Sequence, residues 1–401
     1  MQKYISEEAL RKLYPRGYAV ISIDHIRHNL EVLHCHSGLP LYCVVKANAY
    51  GHGAALISPR LESLDCVRGF ATATVHEAVE LRAAGIKKEI LVLGTAFPGE
   101  YRTAIDHNIT LTLYRLEDAK NISDLATDTN KTIDVHVAID TGMGRIGLPA
   151  TKDSVKTIRQ LLALPGLRVC GIFTHFARAD EQDVSFTNDQ LRAFQTIREA
   201  LADMDIDCWH VSNSAAILVN PQVSLDAGRA GIAMYGIYPS ADVRSRCLQP
   251  GSDHIYLQPA LSWHSSIAHL KTVESGTPIS YGSTYITPRQ MKIATIPIGY
   301  GDGYPRGLSG IGQVLISGQR CPILGRICMD QFMVDVSKLK QVNLYDPVVL
   351  LGRQGQQEIC LEELTEAYQG FHYEFLCDIN LRVPRLLSVT DACGNRRILA
   401  D

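Results

Sequence analysis

Short apolar runs alternate, along the first part of this chain, with longer stretches in which apolar residues recur every third or fourth position. Tyr18–Ile23, the run ending in Val44-Val45, Gly69–Ala73, Ile90–Leu93, Ile109–Leu113, Ile133–Ile139, Leu167–Phe173 and Cys208–Val211 each read as a strand. Between them, Asp24 is placed to cap a helix carrying Ile26, Leu30 and Leu33 on one face. Val75, Val79 and Leu81 mark another helix that stops at Gly85. Strands separated by helices of ordinary length predict parallel βαβ units, and a count near eight favours a closed (β/α)8 TIM-like barrel over an open doubly wound sheet. No Gly-x-Gly-x-x-Gly follows a strand, which weighs against a dinucleotide fold, and Gly142-Met143-Gly144 lacks the third glycine.

From about Gln249 the pattern changes. Ser266–Leu270, Lys292–Ile296 and Gln313–Ile316 are short and β-rich, and Ser275-Gly276, Ser317-Gly318 and Gln354-Gly355 punctuate them. Leu361–Tyr368 is the one clear helix there. The expected organisation is a barrel domain over residues 1–250 and a mainly antiparallel β domain over 251–401, with roughly the first 15 residues available to pack on the second.

Composition narrows the function classes. The 401 residues carry a net charge of -3 with both signs interspersed, so there is no basic stripe for nucleic acid and no polybasic membrane patch. No apolar run approaches a membrane span, and Met1–Arg16 mixes charged residues without the apolar core of a signal peptide; the expected location is the cytoplasm. Eleven cysteines, an odd number without Cys-x-x-Cys, read as reduced thiols packed as small hydrophobes, not disulfides or a metal site.

The candidate chemistry centres on Val44-Val45-Lys46-Ala47-Asn48-Ala49-Tyr50-Gly51-His52-Gly53. A lysine at the carboxyl end of a buried strand sits where α/β barrels keep their reactive groups. Such an amine loses its charge easily and, when neutral, forms Schiff bases. Tyr50 is near enough in sequence to aim at the same ligand. On residue type alone, a surface lysine after a core strand is the commoner case. Ser212-Asn213-Ser214-Ala215-Ala216 and the glycine-bearing turn Gly228-Arg229-Ala230-Gly231-Ile232 offer hydroxyl and amide donors for a phosphate, although small residues in turns are usually structural.

The lysine decapeptide resembles the pyridoxal-phosphate motif of bacterial alanine racemases. Thr141-Gly142-Met143-Gly144-Arg145-Ile146-Gly147, Thr174-His175-Phe176-Ala177, Asn213-Ser214-Ala215-Ala216, Gly231-Ile232-Ala233-Met234-Tyr235-Gly236, Ser280-Tyr281-Gly282 and Arg382-Val383-Pro384-Arg385 follow in that family's order. The resemblance implies a homodimer of barrel-plus-β-domain subunits that binds pyridoxal 5'-phosphate and racemises a small amino acid. It implies that Lys46 carries the cofactor and acts as one base, with Tyr281 of the partner subunit as the other. Arg229 would face the pyridine nitrogen with His210 behind it, and His175 would lie near Tyr281. Tyr50, Ser214, Gly231 and Ile232 would hold the phosphate. Arg145 and the Met329 amide would receive the substrate carboxylate, with Asp330 nearby and Tyr300 as a support.

These roles have a physical logic. Racemisation removes a proton from one face of the α-carbon and returns one on the other, so two opposed bases suffice, and a pyridoxal cofactor supplies the electron sink. A tyrosine, with a reference pKa of about 10, needs cationic or hydrogen-bonding neighbours to serve as a base. An arginine at the pyridine nitrogen keeps its own proton and tempers side reactions. Two positions depart from the family. Ala138 stands where many members carry a carbamylated lysine beside the arginine, so an anion or another acidic group is expected next to Arg145. Leu381 replaces a tyrosine, as happens in serine racemases of the vancomycin-resistance type, which predicts weaker cofactor retention and leaves serine or a broader substrate range as the alternative. A pyridoxal-phosphate decarboxylase and a non-enzymatic cofactor-binding barrel are the remaining readings. The family's implied product is D-alanine for peptidoglycan.

Overall fold

The computed structural model describes residues 3–223, 225–252, 254–391 and 396–400. The chain forms two compact units. One comprises His25–Ala49 and Ala54–Gln258, the other Met1–Asp24, Tyr50–Gly53 and Pro259–Asp401.

The first unit is a barrel of eight parallel strands. Leu41–Val44, Val67–Thr72, Glu89–Val92, Thr110–Leu113, Ile133–Asp140 and Leu167–Phe173 pair in succession. Cys208–His210 follows Leu167–Phe173, and Gly228–Ala230 returns to Leu41–Val44. Between the last two strands the Arg229 amide donates to the Ser212 carbonyl at 2.9 Å, as does the Asp226 amide to that of Trp209, so the ring is nearly closed. Burial of apolar residues on both faces of the strands drives this: Ile90, Leu91, Val92, Leu111, Val135, Val137 and Ile172 are fully buried. The outer helices obey their local signals. Ile26, Leu30 and Leu33 are fully buried on Ile23–Ser37. Thr74 and Glu77 form a reciprocal capping box at the start of Val75–Ala83, and Gly85 (φ 95°) ends it.

Two strand expectations are corrected. The strand read at Tyr18–Ile23 spans Gly17–Ser22 and lies outside the barrel, pairing antiparallel with Leu261–Ser266 and parallel with Arg385–Thr390. The eighth barrel strand is instead Gly228–Ala230, which the sequence presents as a glycine-bearing turn because it is only three residues long. Asp24 is not a cap: it lies inside the helix, and its carboxylate accepts from the Thr390 amide at 2.6 Å.

The second unit is a large, almost wholly antiparallel sheet. It runs from His269–Val273 through Met291–Ile296, Phe332–Asp335, Gln319–Leu324, Gln313–Ile316 and Pro347–Gln354 to Leu261–Ser266 and Gly17–Ser22. Ser266–Leu270 is not one strand, because the chain leaves one pairing at Ser266 and starts another at His269. A second helix, His372–Asp378, accompanies Leu361–Ala367. An aromatic core of Trp263, Tyr304, Phe332 and Phe375 fills this unit, with Tyr304 and Phe332 stacked at 5.2 Å.

Candidate active site

Lys46 follows the first barrel strand and opens a turn with an unusual backbone. Ala47, Asn48, Ala49 and Tyr50 all have φ between 50° and 57°, one turn of left-handed helix. For L-residues this costs about 1–2 kcal/mol each, so the surroundings must hold it. Glu77 does part of that work. Its carboxylate accepts from the Ala47 amide at 2.6 Å and from the Ala73 amide at 2.8 Å, joining the lysine turn to a helix cap. The Asn48 side chain accepts from the Ala54 amide, and the Tyr235 hydroxyl donates to the carbonyl of Val44, two residues before the lysine.

At the carboxyl ends of the last strands sits Arg229, only 3% exposed. Its Nη1 donates to His210 Nδ1 at 2.7 Å and to the His210 carbonyl, and its Nη2 donates to the carbonyls of Thr174 and Val211. His175 Nδ1 lies 3.4 Å away. Burial brings the Arg229 guanidinium down to about 10, still cationic near neutrality. Burial, then the charge of Arg229, pushes His210 well below its ordinary value. His175 is lowered the same way by burial and then by Arg229, Arg145 and Lys46, so the lysine and both arginines act on one neutral imidazole. Gln190, fully buried and absent from the sequence-based set, donates to the His175 carbonyl and to Thr141 Oγ1.

Ser214 opens the helix Ser214–Val219 behind an Asn213 cap. Its Oγ receives the Gly231 amide at 2.9 Å and the Ala233 amide at 3.4 Å. Ser214, Gly231 and Ile232 are thus brought together as expected. The neighbouring Ser212 hydroxyl is buried without a hydrogen-bond partner among the described residues. A hydroxyl cluster with converging amides, a buried guanidinium and a half-buried lysine is a donor set that suits a phosphorylated, ring-nitrogen-bearing group. Arg145 leaves the barrel on a turn in which the Asp140 carboxylate accepts the Gly142 and Gly144 amides. Gly147 (φ 126°) has no room for a Cβ, which would lie 2.5 Å from the Asp140 amide nitrogen. Arg145 is exposed and makes no ion pair among the described residues, so no acidic side chain takes the place of the lysine missing at Ala138.

The other expected residues lie in the second unit. Tyr50 is buried there, its ring 6.0 Å from that of Tyr373, and burial raises its hydroxyl above the ordinary value. Tyr281, Met329 and Asp330 line an open pocket of about 490 Å³ with Ser280 and Cys328. Tyr281 is 71% exposed between Ser280 (φ 65°) and Gly282 (φ 71°). The Ser280 hydroxyl donates to the Arg326 carbonyl at 2.6 Å. The amides of Tyr300 and Gly301 donate to the carbonyls of Cys328 and Met329, which places Tyr300 beside the pocket. Asp330 accepts from Arg382 at 2.7 Å, and Arg382 and Arg16 also flank the buried Asp302. Leu381 is 83% exposed.

Residues 21–239 match the family description "Alanine racemase, N-terminal domain" and residues 260–387 match "Alanine racemase, C-terminal domain". The chain belongs to the alanine racemase family. An alanine racemase of Desulforamulus reducens is 41% identical over 373 residues, which is 92% of this chain and 98% of that one. One from Halothermothrix orenii is 42% identical over 351 residues, 87% of this chain and 90% of its own. The structure of an alanine racemase from Clostridium difficile superposes with a TM-score of 0.87 at 38% identity, covering 93% of this chain and 95% of that one. Like the expected members of the alanine racemase family, the chain pairs a (β/α)8 barrel with a C-terminal antiparallel sheet.

Proposed function

We propose that this protein interconverts L- and D-alanine with pyridoxal 5'-phosphate, using Lys46 and, from the partner subunit of a homodimer, Tyr281 as the two bases. The buried Arg229–His210–His175 cluster beside the lysine turn carries this proposal, together with family membership. The alternative of a serine or broader racemase is not favoured by the two relatives described above, both alanine racemases.

Pyridoxal phosphate, when bound, supplies an aldehyde for the substrate amine and an electron sink for the α-carbon. Ser214, Gly231, Ile232 and Tyr50 would hold its phosphate and Arg229 its ring nitrogen. Lys46 Nζ would bind its aldehyde, then exchange a proton with one face of the substrate. Tyr281 Oη would exchange a proton with the opposite face. Neutral His175 can hydrogen-bond without adding charge. Arg145 and the Met329 amide would orient the substrate carboxylate, with Asp330 fixed by Arg382. Exposure of Tyr281 supports a site completed by a second copy, since a base in bulk water gains little from its neighbours.

We read the protein as a cytoplasmic supplier of D-alanine for peptidoglycan; no helix among the described residues is long and apolar enough to cross a membrane. Incubating cofactor-loaded protein with L-alanine in deuterated water tests the proposal. D-alanine deuterated at the α-carbon is the expected product, and unchanged L-alanine would overturn it.

A further inference from the structure

Among the described residues, Arg229 is a buried cation with no carboxylate acceptor: its acceptors are two imidazole nitrogens and three carbonyls. The negative charge lies further down, inside the barrel. His210 Nε2 is 2.9 Å from His136 Nδ1, and His136 Nε2 is 3.2 Å from Glu89 Oε1. Those last two atoms are buried, and neither has a hydrogen-bond partner elsewhere in the described chain. Buried polar atoms left unpaired cost about 1–3 kcal/mol each, so their proximity is the available means of satisfying both. Glu89 Oε2 accepts from the Tyr42 hydroxyl at 2.7 Å, and that hydroxyl accepts from Arg68 Nε at 3.1 Å.

The direction of every proton follows. A guanidinium only donates, so His210 Nδ1 must be bare, and a neutral His210 then carries its proton on Nε2. That proton points at His136 Nδ1, which must be bare in turn, leaving His136 protonated on Nε2 toward Glu89. An ionised carboxylate only accepts, so the far end demands the same arrangement. Tyr42, already accepting from Arg68, has its proton free for the other carboxylate oxygen. The barrel is shaped for this line of groups. A Cβ on Gly171 would lie within 2.5 Å of the His136 ring, and Phe173 stacks on His210 at 5.0 Å.

We propose that Glu89 and His136 are positioning residues: they lock His210 as the Nε2–H tautomer and supply, through two polarised imidazoles, the counter-charge that orients Arg229. The role assigned to Arg229 rests on the proposed cofactor chemistry, whereas the tautomer assignment does not. Burial depresses His210, consistent with a neutral ring. Burial pushes the Glu89 carboxyl up, but hydrogen bonds from His136 and Tyr42 and the charge of Arg68 hold it below its ordinary value. Glu89, His136 and Cys170 also lie close enough to hold a metal ion, which is the competing arrangement.

Long-range proton–nitrogen correlation spectra of histidine-labelled full-length protein test this directly, with His136 and His210 identified by substitution. The expected result is a bare Nδ1 and a protonated Nε2 on both rings at neutral pH. Glu89→Gln should introduce the second tautomer at both rings and weaken pyridoxal phosphate retention about tenfold. Tyr42→Phe keeps the ring and the carboxylate and should leave the tautomers unchanged. A cationic ring, an Nδ1–H form in the wild type, or an unchanged Glu89→Gln spectrum would overturn the proposal. So would stoichiometric metal on the purified protein with His136 Nε2 deprotonated. If Glu89→Gln fails to fold, the wild-type spectrum decides. Loss of racemisation with these tautomers intact would sink the cofactor reading and leave the proton order standing.

Discussion

The barrel centre and the Tyr281 pocket hold their reactive groups in opposite ways. At buried Arg229, both terminal guanidinium nitrogens are aimed by two or more partners from neighbouring strand ends. Around Tyr281 the phenol stands in solvent on a left-handed turn, and its own unit anchors the backbone beside it and not the ring's outer face. A site that is dry and crowded is preorganised by its own chain; an exposed aromatic base becomes useful when something covers it. The barrel unit fixes Arg229 with its own strand ends, whereas the β unit presents Tyr281 to solvent.

The sharpest way to break that contrast is Lys46→Ala, which should lower racemisation by about 10⁴-fold or more and abolish borohydride labelling at this position. Tyr281→Phe should cost about 10²–10⁴-fold while leaving cofactor binding near wild type, as measured by fluorescence titration. Mixing the two inactive variants under subunit exchange sharpens it further. If the bases come from different subunits, random pairing restores about a quarter of wild-type activity; if they come from one subunit, none returns.

A smaller effect separates the buried centre from the exposed pocket by pH. Above about pH 6.5 His210 is neutral in folded and unfolded chains alike. Below that, the unfolded ring takes up a proton that the folded ring refuses, so stability falls by up to about 1.4 kcal/mol per pH unit. Urea unfolding between pH 7.5 and 5 should show this slope added to a similar one from His175, which burial and Arg229 also depress, and His210→Asn should remove only the His210 share. The smallest effect concerns the lysine turn. Ala47 is exposed at φ 51°, so Ala47→Gly should stabilise the protein by about 0.5–1 kcal/mol, read from the melting temperature.

Much of the barrel was legible beforehand because its strands are short apolar runs with turn residues between them, as at Leu167–Phe173 and Ile133–Asp140. Candidate site residues were legible where a motif is local: Lys46 in its decapeptide, Ser214 and Gly231 in small-residue turns. Gln190, Glu77, His136 and Glu89 carry no such mark. In the structure Glu77 closes a capping box, and Gly171 leaves room for the His136 ring. Their importance comes from what another strand or turn brings beside them.

From its residues alone, this chain determined most of its strands and helices, where its candidate lysine lies, and which family it resembles. Periodicity and turn chemistry act over a few neighbours and survive in a linear reading. Tertiary structure decided that Gly17–Ser22 joins the antiparallel sheet, that the three residues Gly228–Ala230 complete the barrel ring, and that Glu89 is linked to Arg229 through two histidines. Those outcomes depend on competition among strand edges and on groups distant in sequence meeting inside a closed barrel, which no local pattern encodes.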